Sequence, residues 1–319
     1  MKAWVLEGIG DIRYEEKEIP TPPAGEVLIR VEAVGICGSD IPRVYETGAH
    51  RMPLIPGHEF SGVVEKTGEG VTSDLVGRRF GVFPLIPCRK CGPCGKALYE
   101  MCENYDYIGS RRDGAFAEYV CAPAEGLIEL PDEVSFEEAA MLEPMAVAVH
   151  ALKKGGAIEN NAKSSSPSIT VCGLGTIGLL ITSFLIDAGY RDIYVIGNKD
   201  FQFKKAGELG IYKDHMCDVR KEDPVRWLGE NRGADIFFEC VGKEECYRCG
   251  ILSASPLGRV ITVGNPYGDM HLSRDEYWRI LRKQLSIAGS WNSSFRADWE
   301  YALKRIAEGG VKPKELITH

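Results

Sequence analysis

The sequence lacks the features of a nucleic-acid-binding, secreted or membrane protein. Neither end of the 319-residue chain carries a run of lysines or arginines, and the formal net charge is -8, so we expect no nucleic-acid partner. The N-terminus MKAWVLEGIGD has no apolar core of signal-peptide length, and the longest apolar run, TIGLLITSFLIDAG, is too short and too interrupted to span a bilayer. The sequence also has no internal repeat and no low-complexity tract. We therefore expect a cytoplasmic protein of one large or two ordinary domains.

Cysteine, in contrast, is abundant. Eleven cysteines are many for a reducing compartment, where structural disulfides rarely persist, and this number favours metal binding. The segment CRKCGPCGKALYEMC spaces Cys88, Cys91, Cys94 and Cys102 as C-x2-C-x2-C-x7-C. Four thiolates bind zinc tetrahedrally and leave no position for a substrate, so the spacing predicts a structural zinc ion. An iron–sulfur cluster is the chemical alternative, but nothing nearby calls for electron transfer.

The other cysteines are not expected to form metal sites. Cys246 and Cys249 form a lone C-x2-C on a predicted helix, which we interpret as coincidental rather than as a redox pair or a third metal site. The remaining ones are predicted to occupy core or strand positions: Cys121, Cys172, Cys217 and Cys240.

Two regions differ in their secondary-structure pattern. The first half is dense in turns and short β-branched runs, which predicts a mostly antiparallel β domain. A helix is expected from residue 136, after a Ser135 cap with Glu138 completing a capping box. The polar stretch GGAIENNAKSSSPS reads as a surface connection, and beyond it strands alternate with helices. This alternation predicts βαβ units and a parallel sheet.

A glycine-rich turn in the second region predicts dinucleotide binding. VCGLGTIG spaces Gly173, Gly175 and Gly178 as G-x-G-x-x-G between a predicted strand and helix, with Thr176 and Ile177 inside the motif. Glycine permits the tight turn and the close approach of pyrophosphate, and the helix N-terminus offers free N–H donors.

The end of the following strand bears on the choice between NAD and NADP. An acidic residue that accepts the ribose hydroxyls is expected there, yet IYVIGNKD presents Asn198 and Lys199. Loss of the carboxylate next to a cation favours the 2′-phosphate of NADP. Alternatively, Asp200 or an unusual loop shape restores a preference for NAD.

A second metal site is predicted from dispersed residues. GICGSD and IPGHEF supply Cys37, His58 and Glu59, and a cysteine, a histidine and a carboxylate leave the fourth zinc position open for chemistry. Glu143, in MLEPMAV, is a further carboxylate that could complete the set.

Together these features resemble the zinc-dependent medium-chain dehydrogenase/reductase family, in its polyol and sugar-phosphate branch, over nearly the whole chain. The motifs that carry the resemblance are CGSDIPRVYETGAH, GHEFSG, YDYIGSRRDGAFAEY, GTIGLL and ILRKQLSIAGSW. The resemblance implies an α/β protein with a GroES-like β-barrel catalytic domain at 1–149 and 286–319. It also implies a Rossmann doubly wound parallel-sheet domain at 150–285, two zinc ions per chain, and NAD(P), with NADP favoured.

Family roles fall on matching positions. Cys37, His58 and Glu143 match the catalytic-zinc ligands, and Glu59 matches an alternative or exchanging ligand. Ser39 matches the hydroxyl that takes the substrate proton, while zinc polarises the alcohol and a hydride moves to the nicotinamide. Asp40 resembles a residue that orients a ligand. Where many relatives carry a relay histidine, this chain has Ile41 and Pro42, which leaves His50 as a candidate substitute.

The resemblance leaves the substrate open. Arg43, Arg111 and Arg112 are candidates to bind the phosphate of a sugar alcohol, and Trp291 is a candidate cleft residue. Asn292 replaces an arginine of relatives that act on unphosphorylated polyols. Threonine, butanediol and other secondary alcohols stay alternatives, as does a non-catalytic nucleotide-binding protein. By analogy with relatives we expect a homodimer or homotetramer.

Overall fold

The computed structural model describes residues 1–158, 167–231 and 233–318. The chain divides into two compact units. The first contains Met1–Ala146 and Ser293–Lys314, and the second contains Val147–Asn292 together with the residues from Glu315 on.

The first unit is built mainly from short strands. Its strands and helices are β1 (Lys2–Gly8), β2 (Asp11–Glu16), β3 (Glu26–Gly35), α1 (Asp40–Pro42), β4 (Glu59–Thr67), β5 (Arg79–Val82), β6 (Leu85–Ile86), α2 (Gly92–Gly95), β7 (Asp106–Tyr107), β8 (Tyr119–Pro123), β9 (Leu127–Glu129), α3 (Phe136–Ala140), the start of α4 (Leu142–Gly155), and α10 (Ala297–Ala307). A π-helical turn covers Arg43–Thr47, and short 3-10 helices cover Ser73–Leu75, Tyr99–Met101, Ala124–Gly126 and Pro313–Leu316.

An antiparallel sheet organises this unit. Within the described residues its strand order is β8-β3-β4-β5-β9, while β1 pairs with β2 and β6 pairs with β7 in two-stranded ribbons. Val27, Ile29, Phe60 and Val64 lie in its core with at most 1% of their surface exposed. Burial of these β-branched and aromatic side chains is what the strand pattern of the first half predicts.

The second unit contains the parallel sheet. Its elements are β10 (Ile169–Cys172), α5 (Thr176–Asp187), β11 (Ile193–Gly197), α6 (Asp200–Glu208), the 3-10 helix Lys213–His215, β12 (Met216–Asp218), α7 (Pro224–Glu230), β13 (Ala234–Glu239), α8 (Glu244–Ser253), β14 (Ala254–Thr262), α9 (Arg274–Lys283) and β15 (Ser286–Gly289). The strand order is β12-β11-β10-β13-β14-β15, all pairs being parallel. This is the 3-2-1-4-5-6 order of a doubly wound dinucleotide-binding sheet, so the predicted fold class is confirmed.

The helix expected from residue 136 is interrupted. The capping box of Ser135 and Glu138 is confirmed, but α3 ends at Ala140 and α4 starts at Leu142. Pro144 explains the break, because proline has no N–H to donate and its ring clashes with the carbonyl four residues earlier, on Ala140.

The observed end of the second unit differs from the predicted boundary at residue 286. β15 (Ser286–Gly289) pairs with β14 as the sixth strand of the parallel sheet, with Ile287 opposite Val260, and the unit continues to Asn292. The predicted surface connection at 155–168 falls largely outside the described residues. Throughout the described part of the chain, no helix is both long and apolar enough to cross a lipid bilayer.

Candidate functional site

Strand pairing brings Cys37 and His58 together although 20 residues separate them in sequence. β3 and β4 are antiparallel, and the last residue of β3, Gly35, lies opposite the first residue of β4, Glu59. Cys37 lies two residues after the end of β3, and His58 lies directly before the start of β4. The ends of two core strands therefore position both side chains.

Cys37, His58 and Glu59 form a compact group of potential metal ligands. Their sulfur, nitrogen and oxygen atoms all lie within 4.8 Å of one another. His58 and Glu59 are buried, with 4% and 6% of their surface exposed, whereas Cys37 is partly exposed. Gly35 makes room for the carboxylate, because a Cβ there would lie 2.5 Å from Oε2 of Glu59.

The electrostatics of this group favour a bound cation. Burial lowers the pKa of His58 to about 3, with a further effect of Arg43, so its imidazole is neutral and can act as a ligand. Burial raises the pKa of Glu59 to about 7 and, together with the charges of Glu59 and Glu143, raises the pKa of Cys37 well above its usual range. A divalent cation would offset this crowding of acidic groups.

Glu143 lies beside the group but outside it. The first turn of α4 carries this residue, and its Oε1 accepts a hydrogen bond of 3.2 Å from the hydroxyl of Tyr107. Burial, with the nearby charge of Glu59, raises the pKa of Glu143 to about 8. The ring of Tyr107 also packs edge-on against His58, with the ring centres 5.7 Å apart.

Side chains next to Cys37 are bonded to it or to its neighbours. The hydroxyl of Ser39 donates to Sγ of Cys37 at 3.3 Å. The buried carboxylate of Asp40 accepts a hydrogen bond of 3.0 Å from the backbone N–H of Cys37 and pairs with Arg43. Its Oδ1 is 3.7 Å from Nδ1 of His58, a buried nitrogen without a hydrogen-bond partner among the described residues.

These observations fit zinc at the Cys37 group. Its members are donor types that zinc takes in proteins, the histidine is neutral, and its buried Nδ1 is unsatisfied. Three protein ligands are the number found in catalytic zinc sites, which keep one position open. The metal roles of Cys37, His58, Glu59 and Glu143 stay predictions.

The four-cysteine cluster is the second group of potential metal ligands. The sulfurs of Cys88, Cys91, Cys94 and Cys102 all lie within 4.8 Å of one another. Cys94 and Cys102 are buried, and the backbone N–H of Cys88 donates to Sγ of Cys102 at 3.2 Å. Hydrogen bonds from the backbone of Lys90 and Cys91 lower the pKa of Cys88 to about 6, which favours the thiolate. The donor set and its compactness fit a zinc ion with a closed shell.

The glycine turn joins β10 to α5 at the centre of the parallel sheet, where strand order reverses. Gly173 has φ +97°, and a Cβ on it would lie 2.5 Å from Cγ2 of Val241. A Cβ on Gly178 would lie 1.8 Å from the carbonyl oxygen of Gly173. Among the described residues, none apart from its chain neighbours has an atom within 4 Å of the Cβ position of Gly175, which precedes the exposed Thr176 at the N-terminus of α5. The turn thus leaves open space beside free helix N–H groups, as dinucleotide pyrophosphate requires.

The residues after β11 are solvent-accessible. Asn198, Lys199 and Asp200 are exposed, and Lys199 caps the N-terminus of α6 through its backbone position. Asp200 forms an ion pair with Arg220, which also binds Asp218 at the end of β12. Sequence reasoning missed Arg220 because β12 has only three residues and no strong strand pattern.

The candidate substrate residues differ in how their side chains are engaged. Arg43 pairs with Asp40, and Arg112 forms a two-pronged ion pair with Glu26 at 2.8 Å for each bond. Arg111 stacks over the ring of Tyr105 at 4.4 Å, and its buried Nε has no hydrogen-bond partner among the described residues.

None of the contacts described for the other three candidates, His50, Trp291 and Asn292, indicates a functional role. His50 is exposed, Trp291 is 54% exposed, and Asn292 has φ +52°. Their predicted parts in proton relay and substrate binding stay predictions.

Cysteines of the second unit mostly lie in its core. Cys172, Cys217 and Cys249 are buried in one hydrophobic cluster, against which Cys246 packs. Cys246 and Cys249 lie on α8, as expected. Within the described residues the two groups of three or more metal-ligand side chains are the Cys37 group and the four-cysteine cluster, so the lone C-x2-C belongs to neither.

Tyr107 is the second functional candidate that sequence reasoning missed. It lies in the segment YDYIG, and its spacing from Glu143 gives no signal, because a three-dimensional contact joins residues 36 apart in sequence. The one signal at Tyr107 is its position at the end of β7, directly before the buried segment Ile108–Ser110.

Comparison with protein families gives two matches that together cover most of the chain. Residues 23–132 match the alcohol dehydrogenase GroES-like domain, and residues 176–308 match the zinc-binding dehydrogenase domain. The galactitol 1-phosphate 5-dehydrogenase of Escherichia coli strain K12 is 31% identical over 325 residues, covering 100% of this chain and 92% of the relative. The sorbitol dehydrogenase of Halalkalibacterium halodurans is 35% identical over 328 residues, with the same coverage of both chains.

Solved structures give the same result. The crystal structure of galactitol-1-phosphate dehydrogenase from Escherichia coli aligns with a TM-score of 0.92 at 30% identity, covering 100% of this chain and 92% of that one. A zinc-binding dehydrogenase from Sinorhizobium meliloti 1021 bound to NADP aligns with a TM-score of 0.87 at 28% identity, covering 98% and 89% of the two chains. An alcohol dehydrogenase from Escherichia coli CFT073 complexed with NADH aligns with a TM-score of 0.89 at 29% identity, covering 100% and 91%.

Proposed function

The chain belongs to the zinc-dependent alcohol and polyol dehydrogenase family, and from this membership we propose that it transfers a hydride between the secondary alcohol of a polyol or polyol phosphate and NAD(P). The observation that carries the proposal is the compact Cys37, His58 and Glu59 group at the ends of β3 and β4. A group with three ligands suits catalysis because it leaves one position open.

The candidate residues around Cys37 then each have a role. Cys37, His58 and Glu59 would hold zinc, with Glu143 as the alternative carboxylate. The bound ion would supply Lewis acidity, which makes the substrate hydroxyl more acidic. Ser39, whose hydroxyl lies 3.3 Å from Sγ of Cys37, would relay the hydroxyl proton of the substrate by accepting it and releasing its own proton towards solvent. Asp40 would keep the Cys37 backbone in place through its 3.0 Å hydrogen bond.

The four cysteines Cys88, Cys91, Cys94 and Cys102 would hold a second, structural zinc ion. All four sulfurs come from one loop, and two of them are buried. A closed shell of thiolates offers no position to a substrate and contributes its binding energy to folding.

The second unit would bind the nucleotide, with its pyrophosphate at Gly173, Gly175 and Gly178 and against the N–H groups of Thr176 and Ile177. We favour NADP. Lys199 is an exposed cation after β11, next to Asn198, with its Nζ 5.9 Å from the ring centre of Phe201. Asp200 is paired with Arg220, which makes it a poorer acceptor for the ribose hydroxyls of NAD. Solved relatives are bound to NADP in one case and NADH in another, so they do not decide between the two.

The substrate we favour is a sugar alcohol, with or without a phosphate. Relatives named for galactitol 1-phosphate and sorbitol support the polyol class. Arg111 is the best phosphate candidate because its Nε is unsatisfied, whereas Arg43 and Arg112 are already paired with carboxylates. That pairing also favours the second candidate, an unphosphorylated secondary alcohol such as butanediol.

Turnover over a substrate panel tests the proposal. Full-length protein is assayed with NAD⁺ and NADP⁺ on galactitol 1-phosphate, sorbitol, 2,3-butanediol and threonine, and its zinc content is measured. We expect two zinc ions per chain and the highest kcat/KM on a polyol or polyol phosphate. If no secondary alcohol is oxidised by protein that binds one zinc ion per chain, the non-catalytic alternative replaces this function.

Two substitutions refine the assignment. Lys199→Ala should raise KM for NADP⁺ about tenfold, the effect of losing one charge-assisted hydrogen bond, and leave KM for NAD⁺ within twofold. Lys204→Ala is the matched control, an exposed lysine of α6, the helix that Lys199 caps. Equal effects of Lys199→Ala on both cofactors would remove the case for NADP. Arg111→Ala should raise KM for a phosphorylated polyol alone.

We also propose a homodimer or homotetramer, by analogy with relatives, and the cytoplasmic location expected from the sequence. Light scattering on the purified protein tests the oligomeric state, and fractionation of the source cells tests the location.

A further inference from the structure

Tyr107 connects two parts of the candidate metal centre. It lies in β7, between the four-cysteine loop and the turn that follows Ile108. One edge of its ring packs on His58, with ring centres 5.7 Å apart at an angle of 67°. Its hydroxyl donates a hydrogen bond of 3.2 Å to Oε1 of Glu143.

The two carboxylates of the site have different surroundings. Glu59 lies with Cys37 and His58 inside one 4.8 Å group, and Glu143 does not belong to that group. Glu143 nevertheless stays close, since its charge acts on Cys37 and on Tyr107 itself. Oε1 of Glu143 therefore accepts a hydrogen bond beside the group, and the carboxylate is not part of the group.

The number of protein ligands determines whether a zinc site keeps a position open for a substrate. If Glu143 joined Cys37, His58 and Glu59, four protein groups would surround the ion, which is the composition of a structural zinc site. A site with three protein groups keeps a position for chemistry. The four-cysteine cluster shows in the same chain what a complete set of four looks like.

We propose that Tyr107 is a positioning residue that holds Glu143 one hydrogen bond outside the Cys37, His58 and Glu59 group, and so keeps the fourth metal position open. This inference rests on the proposed zinc centre. The edge contact with His58 fixes the ring, and the fixed ring fixes the hydroxyl that engages Glu143.

Tyr107→Phe tests the inference, because it removes the hydroxyl and keeps the ring on His58. Released Glu143 would become an additional ligand. We therefore expect zinc to bind more tightly while kcat falls, whereas loss of a residue that merely supports the existing ligands weakens metal binding about 10–100-fold. A loss of packing would instead weaken metal binding, so the direction of the change distinguishes the two explanations.

The measurements need no substrate or nucleotide. Zinc affinity is measured by chelator competition, and coordination by the visible spectrum of the cobalt(II) protein, whose ligand-field bands shift when a carboxylate takes the open position. Cys37→Ser, which keeps the four-cysteine cluster, serves as the blank to be subtracted. Tyr105→Phe is the matched control, because it removes a hydroxyl from the neighbouring tyrosine whose ring centre lies 6.1 Å from that of Tyr107.

The double variant with Glu143→Ala tests whether Tyr107→Phe changes zinc affinity through Glu143. In Glu143→Ala protein the proposed partner is absent, so adding Tyr107→Phe should change zinc affinity by less than twofold. An unchanged or weakened affinity in the single variant, unchanged cobalt bands, or an effect that persists in the Glu143→Ala background would overturn the inference.

A pair of carboxylate variants tests the same point should Tyr107→Phe not fold. Because Glu59 is assigned as the ligand, Glu59→Gln should weaken zinc binding at least tenfold more than Glu143→Gln does. The reverse order overturns the positioning role while leaving the zinc centre standing. Absence of any cobalt spectrum that depends on Cys37 would overturn both.

Discussion

The two groups of metal-ligand side chains in the first unit are assembled in different ways. The four-cysteine cluster comes from one loop, residues 88–102, and its members differ only in burial. The Cys37 group comes from the ends of β3 and β4, with Glu143 added from α4. A local loop can bring four identical ligands together by its own turns, whereas the second arrangement exists only after the sheet has formed.

The difference in assembly matches a difference in chemistry. The local cluster has a complete set of soft ligands, which suits a metal that stabilises the fold. The dispersed group mixes a thiol, an imidazole and a carboxylate, and buries acidic groups whose pKa values are raised without a cation. Such a group costs stability and is retained where it supports chemistry. Substitutions in the two groups should therefore affect different properties.

The largest expected effect is on activity. Cys37→Ser should lower kcat/KM about a thousandfold, because Lewis-acid catalysis supplies several kcal/mol and each 1.36 kcal/mol corresponds to a factor of ten. Zinc content should fall from two ions to one per chain while the far-UV circular dichroism spectrum stays unchanged. Activity within tenfold of the unmodified protein would show that Cys37 is not a ligand of the catalytic ion.

The corresponding change in the four-cysteine cluster should affect stability. Cys94→Ala removes a buried ligand, and we expect the free energy of unfolding to fall by about 4 kcal/mol, as for loss of a structural metal. Urea denaturation with parallel measurement of zinc release tests this. At a temperature where the variant is still folded, kcat should stay within about threefold, since this cluster supplies no reacting group. A variant with full stability and no activity would reverse the roles of the two clusters.

The same contrast explains what could be predicted from sequence. The clustering of Cys88, Cys91, Cys94 and Cys102 could be predicted from spacing alone, because all four belong to one loop. The parallel sheet could be predicted from the alternation of strands and helices. β12 and β15 could not, because their sequences MCD and SIAG lack the β-branched run that marks β10, which is equally short. The break before α4 was foreseeable from Pro144 and was not predicted.

Contacts between residues far apart in sequence limit what can be predicted from the sequence. Cys37 and His58 could be proposed from their motifs, yet their proximity depends on the register of Gly35 opposite Glu59. Tyr107 and Arg220 act through partners far away in sequence, Glu143 and Asp200. No periodicity or spacing encodes such a pair, so a single sequence gives no physical route to it.

The buried carboxylates predict a pH dependence that is specific to the dispersed group. Glu143 has a reference pKa of 4.5 and a pKa of about 8 in the folded, metal-free chain. Between these values the folded state holds a proton that the unfolded state has released, so stability present below pH 4.5 is lost as pH rises through 8. His58 acts in the opposite direction, but only below its reference pKa of 6.5.

Above pH 6.5 Glu143 still titrates, and so does the Cys88 thiol, whose lowered pKa of about 6 acts in the opposite direction. The comparison of variants isolates Glu143: from pH 6.5 to 8.5 the metal-free protein should lose about 2 kcal/mol more stability in the first unit than the Glu143→Gln variant does. Hydrogen exchange of peptides from β3 and β4 in metal-free samples measures it. Zinc-loaded protein is the control and should show little change. A loss that is the same with and without Glu143→Gln would mean that other groups titrate.

The smallest expected effect concerns the hydrogen bonds to sulfur. Sγ of Cys37 accepts one from the side chain of Ser39 at 3.3 Å, and Sγ of Cys102 accepts one from the backbone of Cys88 at 3.2 Å. Only the first can be removed by substitution. One hydrogen bond contributes about 1 kcal/mol, so Ser39→Ala should weaken zinc binding at the Cys37 group about fivefold.

Chelator competition measures the zinc affinity of each site and does not respond to proton transfer. Turnover would report the loss of proton transfer in addition. Affinity of the four-cysteine cluster should stay within twofold, because its sulfur is supported by backbone that Ser39 does not contact. If both sites weakened equally, the substitution would be acting on the fold of the first unit as a whole. Selective weakening means that the open site depends on replaceable side chains around its ligands, whereas the closed one depends on the course of its loop.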